Sequence, residues 1–214
     1  MEMINISGGR QYPNQKEVKM KKTTKGPSQA DLVIPQMYLS FEGAGYYLLN
    51  EEIDNFTTGD LIKYIVERNV NLQDQKTEIR LLINSPGGDI SCANALIDIM
   101  KGSRIPISTF GLGLIASAGL AIFIAGEKGR RFITPNTSIL SHQFSWMSIG
   151  KEHELYAKNK EIELTTQRMM AHYKKCTGLP EKKIREILLP ASDVWLTAQE
   201  AVDYGLADKI IEWY

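Results

Sequence analysis

Ser117 stands in an apolar and glycine-rich run, Phe110 to Gly126. A hydroxyl in such a segment costs free energy unless something hydrogen-bonds it. Its neighbours Ala116, Ala118 and Gly119 are small and leave space around its Oγ. Upstream, Asn84-Ser85-Pro86-Gly87-Gly88 ends a strongly apolar segment, and downstream His142 ends another. A hydroxyl in a cleared space, a glycine turn and a rigidly placed histidine are the parts of a serine hydrolase.

Such a site needs a carboxylate to fix the imidazole tautomer. Asp193 is the best candidate, because Val194 and Trp195 beside it favour partial burial and so a partner. Asp89, directly after the glycine pair, is its rival. The site also needs backbone N–H groups aimed at developing negative charge. Gly88 has no Cβ to block a substrate carbonyl, and the Ala118 N–H would open a helix, where it is unpaired and favoured by the helix dipole. The other histidines, His153 and His172, fall in a polar helical stretch and read as solvated.

Other chemistries lack their residues. There is no His-Glu-x-x-His motif, no cysteine pair at zinc spacing, no P-loop and no Gly-x-Gly-x-x-Gly after a strand. No metal or cofactor is therefore expected. Position 115 is isoleucine, so the Gly-x-Ser-x-Gly elbow of the α/β-hydrolases is missing.

The elements that must hold these groups alternate. Strands are expected at Tyr46–Leu49, Ile79–Ile83, Ile105–Phe110, Arg131–Ile133, Ser138–His142 and Ile210–Ile211. The segment at Ile79 hardly alternates, which marks a strand buried on both faces. Helical spacing runs over Ile53–Val70 and over Ile90–Lys101, the latter with Ala93, Leu96, Ile97 and Met100 on one face. Gly111 and Gly113 read as the exit from a strand, Ser117–Ala125 as a helix stopped by Gly126, and Thr197–Glu200 as a capping box. The pattern predicts an α/β chain with parallel crossovers. A long polar helix over Lys151–Lys175 interrupts it, with Leu155, Ile162, Met169 and Cys176 at seven-residue intervals. So narrow a stripe serves either a partner helix or the chain's own sheet.

Composition sets the bounds. With 214 residues, 43% of them hydrophobic, the chain can build one ordinary domain with a full core. Its 25 basic and 25 acidic residues give no global pull toward nucleic acid or an anionic membrane. Residues 1–32 are polar and lysine-rich and read as a mobile basic arm, with the structured domain at 33–214. The N-terminus has no apolar core segment, so it does not read as a secretory signal. Ile105–Gly126 is uncharged and long enough for a bilayer, but Pro106, Gly111 and Gly113 break it, which favours a soluble core. Cys92 and Cys176 read as free thiols in helices, in keeping with a cytoplasmic location.

Taken together, Ile83–Gly88, Ala116–Gly119, Ala125–Gly129, Pro135-Asn136, His142-Gln143 and Leu196–Asp208 resemble the proteolytic subunit of the Clp proteases. The resemblance runs from about Leu48 to Ile211. It implies the crotonase-like superhelical α/β fold of repeated β-β-α units, with the long helix as a protruding handle. It implies Ser117 as nucleophile, His142 as general base, Asp193 as orienting acid, and Gly88 and Ala118 as oxyanion hole. Gln143, Phe144 and Trp146 fall on the strand that binds substrate, here bulkier and more apolar than the family's proline and glycines. Two stacked heptameric rings enclosing the sites, a peptide or unfolded-protein substrate, and a Clp-type AAA+ ATPase partner are further implications. Arg80, Leu82 and Gly102 replace aromatic residues with which the family docks that ATPase, and Ala191 and Ser192 stand before Asp193 without the family's arginine. Two other functions share the fold: a catalytically silent ring subunit or scaffold, and a crotonase-type acyl-CoA enzyme. The intact Ser, His and Asp argue against both.

Overall fold

The computed structural model describes residues 41–70, 78–146 and 149–212. The basic arm lies outside them. Apolar segments without alternation become the centre of a mostly parallel sheet. Its main path runs β1 (Tyr46–Leu49), β2 (Ile79–Ser85), β3 (Ile107–Ala116), β4 (Arg131–Ile133) and β7 (Lys209–Ile210), every neighbouring pair parallel. Between strands the chain crosses over through α1 (Asn55–Val70) and α2 (Ile90–Gly102), the right arrangement for strands buried on both faces. This is the expected α/β architecture.

Ile79, Leu81 and Ile83 of β2 are buried, as is the predicted face of α2, Ala93, Leu96, Ile97 and Met100. The short helix α3 (Ala118–Phe123) is buried all round, and Leu120, Ile122 and Phe123 have no exposed surface. Side chains of that size stabilise by about 1.5–3 kcal/mol each when fully buried. Uncharged Ile105–Gly126 thus belongs to a protein core, and no helix among the described residues is long and apolar enough to cross a membrane.

One strand differs from the sequence expectation in a way that shapes the site. Gly111 and Gly113 do not end β3, which continues to Ala116. Gly113 takes φ +59°, and the register with β2 jumps there: Ile83 faces Gly111, but Ser85 faces Ile115. The bulge is held by Asn84, whose side-chain oxygen accepts from the Leu114 N–H at 3.0 Å and lies 2.9 Å from where a Cβ on Gly113 would be. Bulges of this kind re-aim a strand. Before the bulge β3 pairs with β4; after it, Leu114–Ala116 pairs with β5 (Ser138–Ser141). A further strand, β6 (Val194–Leu196), pairs antiparallel with β5. No strand is expected from the sequence at these three residues.

The long helix α4 spans Glu152–Thr177 and ends at Gly178 in the left-handed region. The chain's own core takes the C-terminal half of its stripe. Thr165, Met169, Met170, His172 and Tyr173 are buried against the core, whereas Leu155, Tyr156 and Leu164 are exposed. Beyond it come α5 (Glu181–Lys183), a π-helical turn at Ile184–Leu188 and α6 (Ala198–Asp203), the last opened by the expected capping box of Thr197 and Glu200. Arg131, 2% exposed, ties these C-terminal elements to the sheet through Asp208, Cys176 O and Gly205 O.

Candidate active site

Three of the expected groups follow the carboxyl ends of parallel strands: Gly87-Gly88 after β2, Ser117 after β3 and His142 after β5. Open α/β sheets bind ligands at that edge.

Ser117 is the one non-glycine residue with positive φ among those described, at φ 52° and ψ −119°. The chain must pass from strand to buried helix in a single residue, and packing holds it there. Its N–H donates to Leu140 O at 2.9 Å, and its C=O accepts from the N–H groups of Leu120 and Ala121. Strain of this sort costs on the order of 1–3 kcal/mol and persists only where the surroundings over-determine it.

The glycine turn is built against this serine. A Cβ on Gly87 would lie 2.7 Å from Ala116 O, 2.8 Å from Ser117 Cβ and 3.1 Å from the Ala118 nitrogen. The turn is anchored from the other side by Ile53, whose N–H donates to Gly87 O at 2.8 Å and whose C=O accepts from the Asp89 N–H at 2.7 Å. In a parallel bridge of this form the intervening Gly88 N–H turns away from Ile53. Neither the Gly88 nor the Ala118 N–H has a hydrogen-bond partner among the described residues, so two free donors stand on adjoining segments.

His142 is half-buried at the end of β5. The parallel register pairs Ala116 with Leu140, which brings the end of β5 beside Ser117. The antiparallel register pairs Ser141 with Val194, so one step further His142 faces Asp193. The strand ends gather the three residues, but no hydrogen bond joins Ser117 to His142 or His142 to Asp193 among the described residues, and Asp193 is exposed rather than partly buried. The rival Asp89 is engaged elsewhere. It caps α2, accepting at 2.8 Å from both Ser91 N–H and Cys92 N–H, and these bonds, the Cys92 one foremost, hold its carboxyl below the usual range.

After Ser141 the chain leaves the sheet, so Gln143, Phe144 and Trp146 form no strand. Gln143 Nε2 donates to Leu189 O at 3.0 Å, and the Lys158 ammonium lies 5.0 Å from the centre of the Trp146 ring. With Ile162, Met170 and Leu189 these three side chains line a cavity of about 300 Å3. Met147 lies outside the described residues.

Sequence reading failed on His172. It is 6% exposed, not solvated, with Nε2 at 2.8 Å from Ala121 O and Nδ1 at 2.9 Å from Lys101 Nζ. Its neighbours Met169, Met170 and Tyr173 are the apolar residues that should have signalled burial. At the altered docking positions, Arg80 pairs with Glu78 and with the Tyr46 hydroxyl, both at 2.9 Å, Leu82 is buried, and Gly102 opens onto empty space.

The sequence from 36 to 213 matches the family model described as Clp protease. The chain belongs to the Clp protease family. It is 34% identical to the ATP-dependent Clp protease proteolytic subunit 2 of Corynebacterium glutamicum, over 76% of this chain and 79% of that one. Identity is likewise 34% with the ATP-dependent Clp protease proteolytic subunit of Paracoccus denitrificans, over 65% and 69%. A chloroplastic Clp subunit of Arabidopsis thaliana is 31% identical over 77% of this chain and 52% of its own length. The family makes this chain a Clp-type peptidase, and Ser117, His142 and Asp193 are its candidate catalytic residues.

Proposed function

We propose that the chain is a serine endopeptidase working through Ser117, His142 and Asp193. The observation that carries this reading is the strained turn at Ser117, opposite two unpaired backbone donors. Ser117 Oγ attacks the scissile carbonyl while His142 takes its proton. The Gly88 and Ala118 N–H groups receive the oxyanion. His142 then gives the proton to the leaving amine, and water repeats the sequence on the acyl-enzyme. Asp193 holds the imidazole once its carboxylate turns onto the ring it faces. The cavity that begins at Gln143, next in the chain after His142, has Phe144, Trp146, Ile162, Met170 and Leu189 in its wall, which supports cleavage after apolar side chains.

The relatives are named as subunits, and the exposed Leu155, Tyr156 and Leu164 on α4 offer this chain an apolar surface for assembly into a ring-shaped cytoplasmic chamber. The relatives are also named ATP-dependent. With Arg80 committed to Glu78 and Gly102 without a side chain, an aromatic docking pocket lacks its anchors here, and a generic Clp ATPase should stimulate the particle weakly.

Labelling with a fluorophosphonate decides the catalytic assignment. Intact mass should rise by one adduct mapped to Ser117, and Ser117→Ala should remain unlabelled and inactive. Labelling of another residue, or peptide hydrolysis by the alanine variant near the wild-type rate, would sink it. A silent scaffold or an acyl-CoA enzyme would not react at Ser117.

A further inference from the structure

A second cleft lies between α2 and α4, apart from the strand edge that carries Ser117. Asn94, Asp98 and Lys101 come from one face of α2, at helical spacing, over a floor made by Ile97. Arg168, His172 and Lys175 come from the facing side of α4, and Ala171 between them keeps the space open. The cleft is open to solvent and has a volume of about 300 Å3.

Charge in this cleft is one-sided. Lys101, Arg168 and Lys175 stand against one carboxylate, Asp98, and none of the three cations forms an ion pair with a described residue. Two of them sit in the last turns of their helices, where the dipole favours cations. Arg168 does not; it lies well inside α4, one turn before His172. The ring of His172 spends its one proton on Ala121 O through Nε2, so Nδ1 accepts from the Lys101 ammonium. That bond draws Lys101 across the cleft toward α4 and leaves two of its N–H donors free. Burial keeps the His172 ring neutral.

We propose that this cleft binds a phosphate-type dianion, held by Lys101, Arg168 and Lys175. Three cations and one carboxylate leave two positive charges, which a dianion neutralises. The guanidinium of Arg168 supplies a planar pair of donors matched to two phosphate oxygens, and the two ammonium groups act as point charges on the others. Asn94 adds an amide donor at the rim. The volume admits free phosphate or a phosphate carried on a small molecule.

Calorimetric titration of the full chain with inorganic phosphate tests this, in buffers matched in ionic strength with chloride. Phenyl phosphate in a second arm distinguishes a free anion from a phosphomonoester. One saturable site per chain is expected, with the His172 ring resonances shifting as it fills. Arg168→Gln and Lys101→Met should each weaken binding about tenfold or more, the usual loss for a charged hydrogen bond. The Arg168 side chain takes no part in the core, so its variant decides the matter should Lys101→Met fail to fold. The proposal falls if phosphate gives no saturable binding at millimolar concentration, if chloride gives the same response, or if Arg168→Gln binds as tightly as wild type.

Discussion

Gly87 lies so close to Ser117 that a Cβ on the glycine would come within 2.8 Å of the serine's own Cβ. The two turns that follow β2 and β3 therefore interlock through a missing side chain. Gly87 also sits at φ +94°, where L-residues are strained. Gly87→Ala should lower stability by about 1–3 kcal/mol and push Ser117 and the Ala118 N–H out of place. Thermal unfolding together with fluorophosphonate labelling checks this. A variant that melts and labels like wild type would show that the turns are not coupled.

Ser117 offers a test that separates chemistry from folding. Ser117→Ala keeps a Cβ at a positive φ, so its stability should stay near wild type. Ser117→Gly relieves the strain and, after the greater entropy of an unfolded glycine is offset, should gain about 1 kcal/mol. Both should lose peptide hydrolysis by several orders of magnitude. If Ser117→Gly unfolded earlier than Ser117→Ala, the backbone there would not be strained.

The two aspartates should divide cleanly. Asp193→Asn should cut turnover sharply through the wrong imidazole tautomer while leaving the melting temperature almost unchanged. Asp89→Ala should remove the cap of α2 and cost about 1 kcal/mol of stability. Steady-state kinetics beside denaturant titration would expose an exchange of roles: an inactive but stable Asp89→Asn would move the orienting acid there.

His172 predicts a pH dependence of stability. Burial lowers its pKa from 6.5 to about 4. Between those values the unfolded chain binds a proton that the folded chain does not. The contribution is complete above pH 6.5, declines as pH falls, and is gone below about 4, a change of roughly 3 kcal/mol over the window. His172→Gln keeps a donor for Ala121 O and cannot titrate, so its stability should vary less across that window. Denaturant midpoints measured from pH 7 to about 4 give the comparison; identical slopes for the two proteins would refute the assignment.

Most of the sheet was legible because its strands are short apolar runs between glycine and proline punctuation. Ser117 and His142 were legible as polar groups at the ends of such runs. What escaped had non-local causes. The bulge at Gly113 exists because Asn84, from another strand, accepts the Leu114 N–H, and no local pattern announces that partner. β6 is three residues long and takes its identity from pairing with β5. His172 is buried because α4 packs only its C-terminal half on the core, so an averaged polarity of the helix misled. Asp193 was singled out for its apolar neighbours, but its place opposite His142 comes from the register of two strands far apart in sequence.

That register also sets a clock. β6 exists only as a partner of β5, and its residues are synthesised well after the strands that carry Ser117 and His142. A nascent chain that has already folded Ser117 and His142 still lacks the strand that presents Asp193. On the proposed mechanism it stays silent on the ribosome until β6 has emerged as well. A hydrolase wired in this order acquires its last catalytic group only after the strands that carry the first two are made.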